Sequence, residues 1–155
     1  MIENITLILD LDGVLITTPA WKSDEIDSDG YSKFNQYCVN NLNKLLSLNN
    51  FDIWLSSARR VNKSLQDFNI IFNNRGINID IKGFLPIYQN CNSRKDNILM
   101  FLDEFKPNEY IIIDDDKSLN SLEKKIKDYV ILTELMIGFD KEQLENAIKK
   151  LKLYD

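Results

Sequence analysis

Short apolar runs alternate with longer amphipathic segments along the whole chain, and this alternation restricts the fold more than any other feature. The strand-like runs lie at 5–12, 51–57, 77–84, 109–116 and 129–133. Segments with helical spacing of apolar residues lie at 32–50, 61–76, 93–105, 118–128 and 140–154. Strands that are apolar on both faces are typical of a parallel sheet covered on both sides. The pattern therefore predicts a three-layer, Rossmann-like α/β domain with a mostly parallel central sheet.

Length and charge set outer bounds on the function. A chain of 155 residues is most simply one domain, 1–155, and its net charge of −5 does not favour a phosphate-backbone partner. The amino terminus lacks a basic leader, and no run of about 18 apolar residues occurs, so no membrane association is expected. We expect a cytoplasmic protein; its oligomeric state is not predicted.

The chain contains no histidine and only two cysteines, Cys38 and Cys91. This composition excludes Ser-His-Asp and Cys-His catalysis, histidine metal ligands and a zinc or disulfide framework. We expect the two cysteines to be reduced, buried thiols. Any chemistry must use carboxylates, Lys or Arg, hydroxyl groups and a metal.

Acidic residues interrupt or end two of the strand-like runs. Asp10 and Asp12 are two positions apart, so on a strand both side chains point to the same side, where their charges repel. The run at 109–116 ends in Asp114, Asp115 and Asp116. The carboxyl ends of parallel strands share one edge of the sheet, which is where such folds bind ligands. A bound cation is the simplest compensation for this group of acids.

Other polar residues are expected at the same edge. Ser56 and Ser57 end the second strand-like run, and Arg94 and Lys95 lie at the start of the segment at 93–105. Carboxylates without nearby imidazole or thiolate suit Mg²⁺, which often shares its coordination shell with a substrate phosphate. Ser56, the Arg94 or Lys95 cation and the backbone N–H groups near Gly13 would then bind the phosphate.

The two amino-terminal acids have complementary chemical roles in such a site. Asp10 can attack phosphorus and form an aspartyl phosphate. Asp12 can protonate the leaving oxygen and then deprotonate the hydrolytic water. Asp10 and Asp12 are predicted metal ligands, and the residues alone leave open which of Asp114, Asp115 and Asp116 joins them.

Several of these residues have simpler structural interpretations. Ser56 can equally be a helix N-cap, Ser57 is expected to be one, and Lys95 can be a surface lysine. Arg59 is a possible substrate contact, although a solvated role is favoured for both Arg59 and Arg60.

The polar segment at about 13–31, which we call the flap, contains Trp21 and Tyr31. These two aromatic side chains are expected to pack the flap against the rest of the domain.

Four motifs in order resemble those of the haloacid dehalogenase (HAD) superfamily of Mg²⁺-dependent phosphohydrolases. They are "DLDGVL" at 10–15, "IWLSS" at 53–57, "SRKDN" at 93–97 and "IIIDDD" at 111–116. The resemblance covers about 110 residues and implies a phosphatase that acts through an aspartyl phosphate on Asp10. It favours Asp115 as a direct metal ligand with Asp114 as its neighbour, whereas Asp116 is expected to cap the next segment.

Within the superfamily, the chain is most similar to the small HAD domain of Swiss Army Knife RNA repair proteins. The similarity rests on "SSARR" at 56–60, on Arg94 and on Gly138–Phe139 before the last helical segment. It implies a substrate such as a 3′ or 5′ phosphate of a nucleic acid. The spacing between motifs leaves no room for a large cap domain, and in the superfamily an open site suits bulky substrates.

Three alternatives have different requirements. A sugar or nucleotide phosphatase would need the flap or a partner to close the site. A receiver-like phospho-acceptor also uses strand-end acids, but there the lysine ends a late strand, whereas Lys95 opens a helix. A binding module without catalysis is not favoured, because all four motifs carry residues competent for the reaction.

Overall fold

The computed structural model describes residues 3–154 and contains a five-stranded parallel sheet with the order β3-β2-β1-β4-β5. The strands are β1 Ile5–Leu9, β2 Phe51–Leu55, β3 Ile81–Phe84, β4 Tyr110–Asp114 and β5 Val130–Leu132. The helices are α1 Gln36–Leu46, α2 Leu65–Asn74, α3 Arg94–Phe105, α4 Lys124–Lys127 and α5 Lys141–Leu151. Short 3₁₀ helices lie at Ala58–Asn62 and Lys117–Ser121. The predicted α/β Rossmann-like class is confirmed, and no cap domain is inserted within 3–154.

The central strand β1 divides two apolar layers. Leu7 and Leu9 belong to a core cluster that includes buried residues of α1, α2 and α5. Ile8, on the other face of the strand, joins a second cluster with Phe101 of α3 and Ile126 of α4. All five residues of β1 are buried, because side chains on both faces are covered by helices.

The strand register brings the carboxyl ends of the three central strands to one level. Leu9 lies opposite both Leu55 of β2 and Ile113 of β4. The next residue on β1 continues this pairing, since the Asp10 N–H donates to the Ile113 carbonyl over 3.1 Å. From β1 the chain adds β2 and β3 on one side of the sheet and then β4 and β5 on the other. Open α/β sheets bind ligands at the point where the strand order reverses in this way, which here lies between β1 and β4.

The flap at 13–31 contains neither a helix nor a strand, and its far end is anchored by Arg75. The buried Arg75 guanidinium pairs with Asp29 over 2.6 Å and with Asp27 over 3.2 Å. It also donates to the carbonyls of Tyr31 and Ser32. Arg75 therefore attaches the flap to the end of α2.

One predicted helix is wrong. Residues 118–128 form the second 3₁₀ helix and the separate four-residue α4, because the backbone at Leu122 and Glu123 is extended. Leu119, Leu122 and Ile126 are all buried in the same cluster. Their spacing fits one face of a continuous helix as well as two short turns, so periodicity alone does not distinguish them.

Other elements are shorter than predicted. Of the run at 77–84 only Ile81–Phe84 is a strand, and the Asn69 amide oxygen accepts the Ile81 N–H over 2.6 Å. The helices predicted at 32–50 and 61–76 are reduced to α1 and α2. Asn35 and Ser64 accept hydrogen bonds from the first turns of these helices, so N-caps set where they begin.

Three further side chains test the sequence predictions. Trp21 is 81% exposed, so the expectation that it packs the flap down is wrong. Tyr31 meets that expectation, since its ring packs edge-on against Phe68 at 5.9 Å between centroids. Both cysteines are free, but only Cys38 is buried.

Membrane insertion as a helix is not supported by the part of the chain that the structure describes. None of its helices combines the length and the apolar character needed to cross a bilayer.

The Asp29–Arg75 pair should make the stability of the flap depend on pH. The Arg75 hydrogen bond holds the pKa of Asp29 well below its ordinary value. The pair therefore stabilises the folded state above about pH 4, and this stabilisation is lost as the pH falls further. We expect Asp29→Asn to lower the free energy of unfolding by about 1 kcal/mol at pH 7 and by less near pH 3.

Denaturant unfolding across this pH range measures the effect. Asp52→Asn is the matched control, because Asp52 pairs with Lys82 at the exposed surface. An equal loss for Asp29→Asn at pH 7 and pH 3 would contradict the role assigned to Arg75.

Candidate active site

Three acidic side chains meet where the chain reverses between β1 and β4. Asp10 follows β1 and is 4% exposed, Asp114 ends β4 and is fully buried, and Asp115 follows it. Oxygen atoms of the three carboxylates lie within 4.8 Å of one another. The strand register therefore brings together three of the four acids that were predicted as metal ligands, without Asp12.

Arg94 is the cation in contact with this cluster. As the first residue of α3, it places Nη1 2.5 Å from Asp114 Oδ2 and 3.5 Å from Asp10 Oδ2. Burial alone would lower the pKa of Arg94, but the charges of Asp114 and Asp10 raise it. One arginine against three carboxylates leaves two negative charges when all groups are ionised.

The remaining negative charge affects the pKa values of Asp10 and Asp115. Burial, and then the charge of Asp114, raise the pKa of Asp10 well above its ordinary value, while Arg94 opposes this rise. Burial and Asp114 likewise raise the pKa of Asp115. A cluster of oxygen ligands with two uncompensated charges fits a hard divalent cation. Asp10, Asp114 and Asp115 can therefore hold a metal ion.

The loop after β1 is shaped by Gly13. Its φ of +82° lies in the left-handed region, and a Cβ atom at this position would collide with the carboxylate of Asp115. The Gly13 N–H donates to the Ile16 carbonyl over 2.8 Å, so it is used within the loop. The Gly13 carbonyl accepts from the Thr133 hydroxyl over 2.6 Å. The missing side chain of Gly13 therefore lets Asp115 of the fourth motif pack directly against the first motif.

Asp12 lies apart from the acidic cluster and is bound by Arg59. Arg59 Nε and Nη2 each donate to one Asp12 carboxylate oxygen over 2.8 Å. Nη2 also contacts Asp24 at 2.8 Å, and Nη1 donates to the hydroxyl of Ser32 over 3.2 Å. The Arg59 hydrogen bond lowers the pKa of Asp24. Arg59, which lies two residues after the second motif, thus connects Asp12 with the flap.

The two serines after β2 have different environments. The Ser57 hydroxyl accepts the Arg59 N–H over 3.2 Å and caps the first 3₁₀ helix, as expected. Ser56 is fully buried, its N–H donates to the Leu9 carbonyl, and its hydroxyl has no hydrogen-bond partner within 3–154. An unpartnered buried hydroxyl one residue beyond the Leu9–Leu55 pair is a natural donor or acceptor for a bound ligand.

The remaining predicted polar residues lie outside the acidic cluster. Lys95 Nζ donates to the Ser121 carbonyl over 3.2 Å, so of the two cations at the start of α3 it is Arg94 that contacts the acids. Asp116 accepts the Ser118 N–H and caps the second 3₁₀ helix, as predicted.

Several residues of the site were not identified from the sequence. The Thr133 hydroxyl contacts Gly13 of the first motif. Arg59 contacts the other two, Asp24 and Ser32. Thr133 directly follows the last strand, as Asp10 and Ser56 follow theirs, so strand-end position was a usable signal for it. The flap residues carry no comparable signal, because their positions depend on the path of the loop.

Comparison with known proteins agrees with this geometry. No curated protein gives a significant match to the chain. A family model described as "HAD domain in Swiss Army Knife RNA repair proteins" matches residues 6–144, which include all four motifs. The resemblance identified from the motifs is confirmed, and the chain belongs to the HAD-domain family of Swiss Army Knife RNA repair proteins.

Proposed function

We propose that this protein is a Mg²⁺-dependent phosphomonoester hydrolase that acts on bulky substrates such as the terminal phosphate of a nucleic acid. A HAD domain implies phosphohydrolase chemistry in general. The observation that supports the specific proposal is the buried cluster of Asp10, Asp114 and Asp115, with Arg94 as its single cation.

Asp10 is the proposed nucleophile. Its carboxylate oxygen attacks phosphorus, the bond from phosphorus to the ester oxygen breaks, and the leaving oxygen takes a proton from Asp12. Water then attacks the aspartyl phosphate and gives a proton to Asp12. Breakage of the bond between phosphorus and the Asp10 oxygen releases inorganic phosphate and restores both acids.

Arg59 positions Asp12 in this scheme. Both Asp12 carboxylate oxygens accept hydrogen bonds from Arg59, so one of them must leave this contact to reach the leaving oxygen of the substrate. Asp24 is placed to retain Arg59 when this happens. A direct contact between Arg59 and the substrate is not needed for this role.

The phosphate would be held by the groups left available around Asp10. The unpartnered Ser56 hydroxyl and the Arg94 guanidinium supply donors, and Arg94 supplies positive charge. Asp10, Asp114 and Asp115 would hold Mg²⁺, which when bound offsets the charge of the phosphate oxygens. Asp12 as a metal ligand, Lys95 and Gly13 as phosphate contacts, and Arg59 as a substrate contact stay predictions.

The nucleic-acid substrate is supported by the description of the matched family and by the lack of a cap within 3–154. A small-metabolite phosphatase is the second candidate, and the attachment of the flap to Asp12 through Arg59 favours it. The single domain 1–155 and the cytoplasmic location are parts of the proposal.

Mg²⁺ should stabilise the folded protein through the acidic cluster. We expect millimolar MgCl₂ to raise the midpoint of thermal unfolding by several degrees, because saturation at about 100 times the Kd adds about 2.7 kcal/mol. Asp115→Asn should remove most of this shift, since it deletes one ligand of the cluster. Asp128→Asn, at an exposed pair with Lys124, should leave it intact. Equal shifts in both variants would exclude the cluster as the metal site.

Asp10→Asn should abolish hydrolysis of phosphomonoesters while the protein stays folded. An amide cannot form the acyl phosphate, whereas its similar shape preserves packing after β1. Release of inorganic phosphate from p-nitrophenyl phosphate and from oligonucleotides with 3′ or 5′ phosphates measures this loss, and circular dichroism measures folding. Retained turnover in a folded variant would contradict the role of Asp10. Wild-type turnover of small metabolites alone would remove the nucleic-acid substrate.

A further inference from the structure

A cavity of about 280 Å³ is lined in part by Arg94, the arginine that contacts the acidic cluster. The loops that follow β2 and β3 and the first turns of α3 form its walls. Arg60 and Arg94 both line it, and its walls contain no acidic residue. In a chain with 24 acidic residues and a net charge of −5, a cavity lined by two arginines and no acid indicates a preference for anions.

Arg60 is a half-buried cation whose hydrogen bonds all go to neutral acceptors. Nε donates to the Leu85 carbonyl, Nη1 to the carbonyls of Ser56 and Ser57, and Nη2 to the Asn97 amide oxygen. A guanidinium has five N–H donors, so these contacts leave one free. Within 3–154 no carboxylate forms a salt bridge with Arg60.

Arg94 is the second arginine on the cavity wall. Arg94 uses Nη1 for Asp114 and Asp10, and its remaining N–H groups have no acceptor within the described residues. Arg94 therefore belongs to both sites, so an anion in the cavity would lie next to the phosphate bound at Asp10.

The cavity is also lined by Ile87 and Tyr88. Ile87 is 72% exposed, and the hydroxyl of the adjacent Tyr88 donates to Glu104. This hydrogen bond uses the hydroxyl of Tyr88, so its aromatic ring is the part available to line the cavity. A sugar or base carried by the substrate would cover exposed apolar surface there.

We propose that this cavity binds a second phosphate of the substrate, next to the one that is hydrolysed, with its nucleoside against Ile87 and Tyr88. The inference rests on the proposed function and specifies its substrate class as phosphomonoesters that carry a further phosphate. An oligonucleotide with a terminal phosphate and a nucleoside 3′,5′-bisphosphate share this chemistry. A nucleoside monophosphate and p-nitrophenyl phosphate lack it.

Calorimetric binding tests the proposal without depending on turnover. In the Asp10→Asn protein with Mg²⁺, we expect a nucleoside 3′,5′-bisphosphate to bind about tenfold or more tightly than the matching monophosphate, as one charge-assisted contact would give. Ile87→Glu in the same background places a carboxylate at the exposed wall and should reduce the ratio to about twofold. Ile70→Glu, the same change at an exposed position of α2, should leave the ratio unchanged. Thermal unfolding checks that both variants fold.

Two results would overturn the second-phosphate site: equal affinity for the bisphosphate and the monophosphate, or a ratio that Ile87→Glu does not change. Tight binding of the bisphosphate by a wild-type protein that hydrolyses no phosphomonoester would instead contradict the proposed function and leave this site standing. A terminally phosphorylated trinucleotide distinguishes the two sources. If it shows the same gain, the second phosphate is a nucleic-acid diester, and if it does not, the site is specific for a bisphosphate metabolite.

Discussion

The repulsion among Asp10, Asp114 and Asp115 is the constraint on which the functional part of the structure depends. Two parallel strands that end at the same level bring these carboxylates together in a buried position, and Arg94 balances only one of them. Burial of like charges costs free energy unless a partner compensates them. Apolar layers on both faces of β1 and β4 hold the acids in this position, and the remaining charge favours a divalent cation.

The arginines divide the acids of the site into two groups with different chemistry. Arg94 contacts the acids of the buried cluster, whereas Arg59 pairs with Asp12. This separation suits two carboxylates that act as nucleophile and as proton carrier, because each needs a different environment. Arg59 and Arg75 also hold the flap at two points, so the flap is connected both to Asp12 and to α2.

The fold class and the acidic cluster were predictable, because both follow from short-range patterns. Apolar runs that end in Asp10, Ser56 and Asp114 place their polar residues at one edge of any parallel sheet. The choice between Arg94 and Lys95 was not predictable, since it depends on the rotation of α3 about its axis. The pairing of Asp12 with Arg59 depends on a loop path that joins residues 47 positions apart. Periodicity also gave a wrong prediction at 118–128. Buried residues three and four positions apart suggested one continuous helix there, whereas the segment forms two short helices.

The most direct test of the central claim is a crystal structure of the protein with Mg²⁺ and beryllium fluoride, which mimics a phosphoryl group on a carboxylate. The account predicts that beryllium is bonded to an Asp10 carboxylate oxygen, with Mg²⁺ beside it on Asp114 or Asp115 and the Ser56 hydroxyl donating to a fluoride. Beryllium on another carboxylate, or Mg²⁺ bound away from this cluster, would contradict the assignment of Asp10 as the nucleophile.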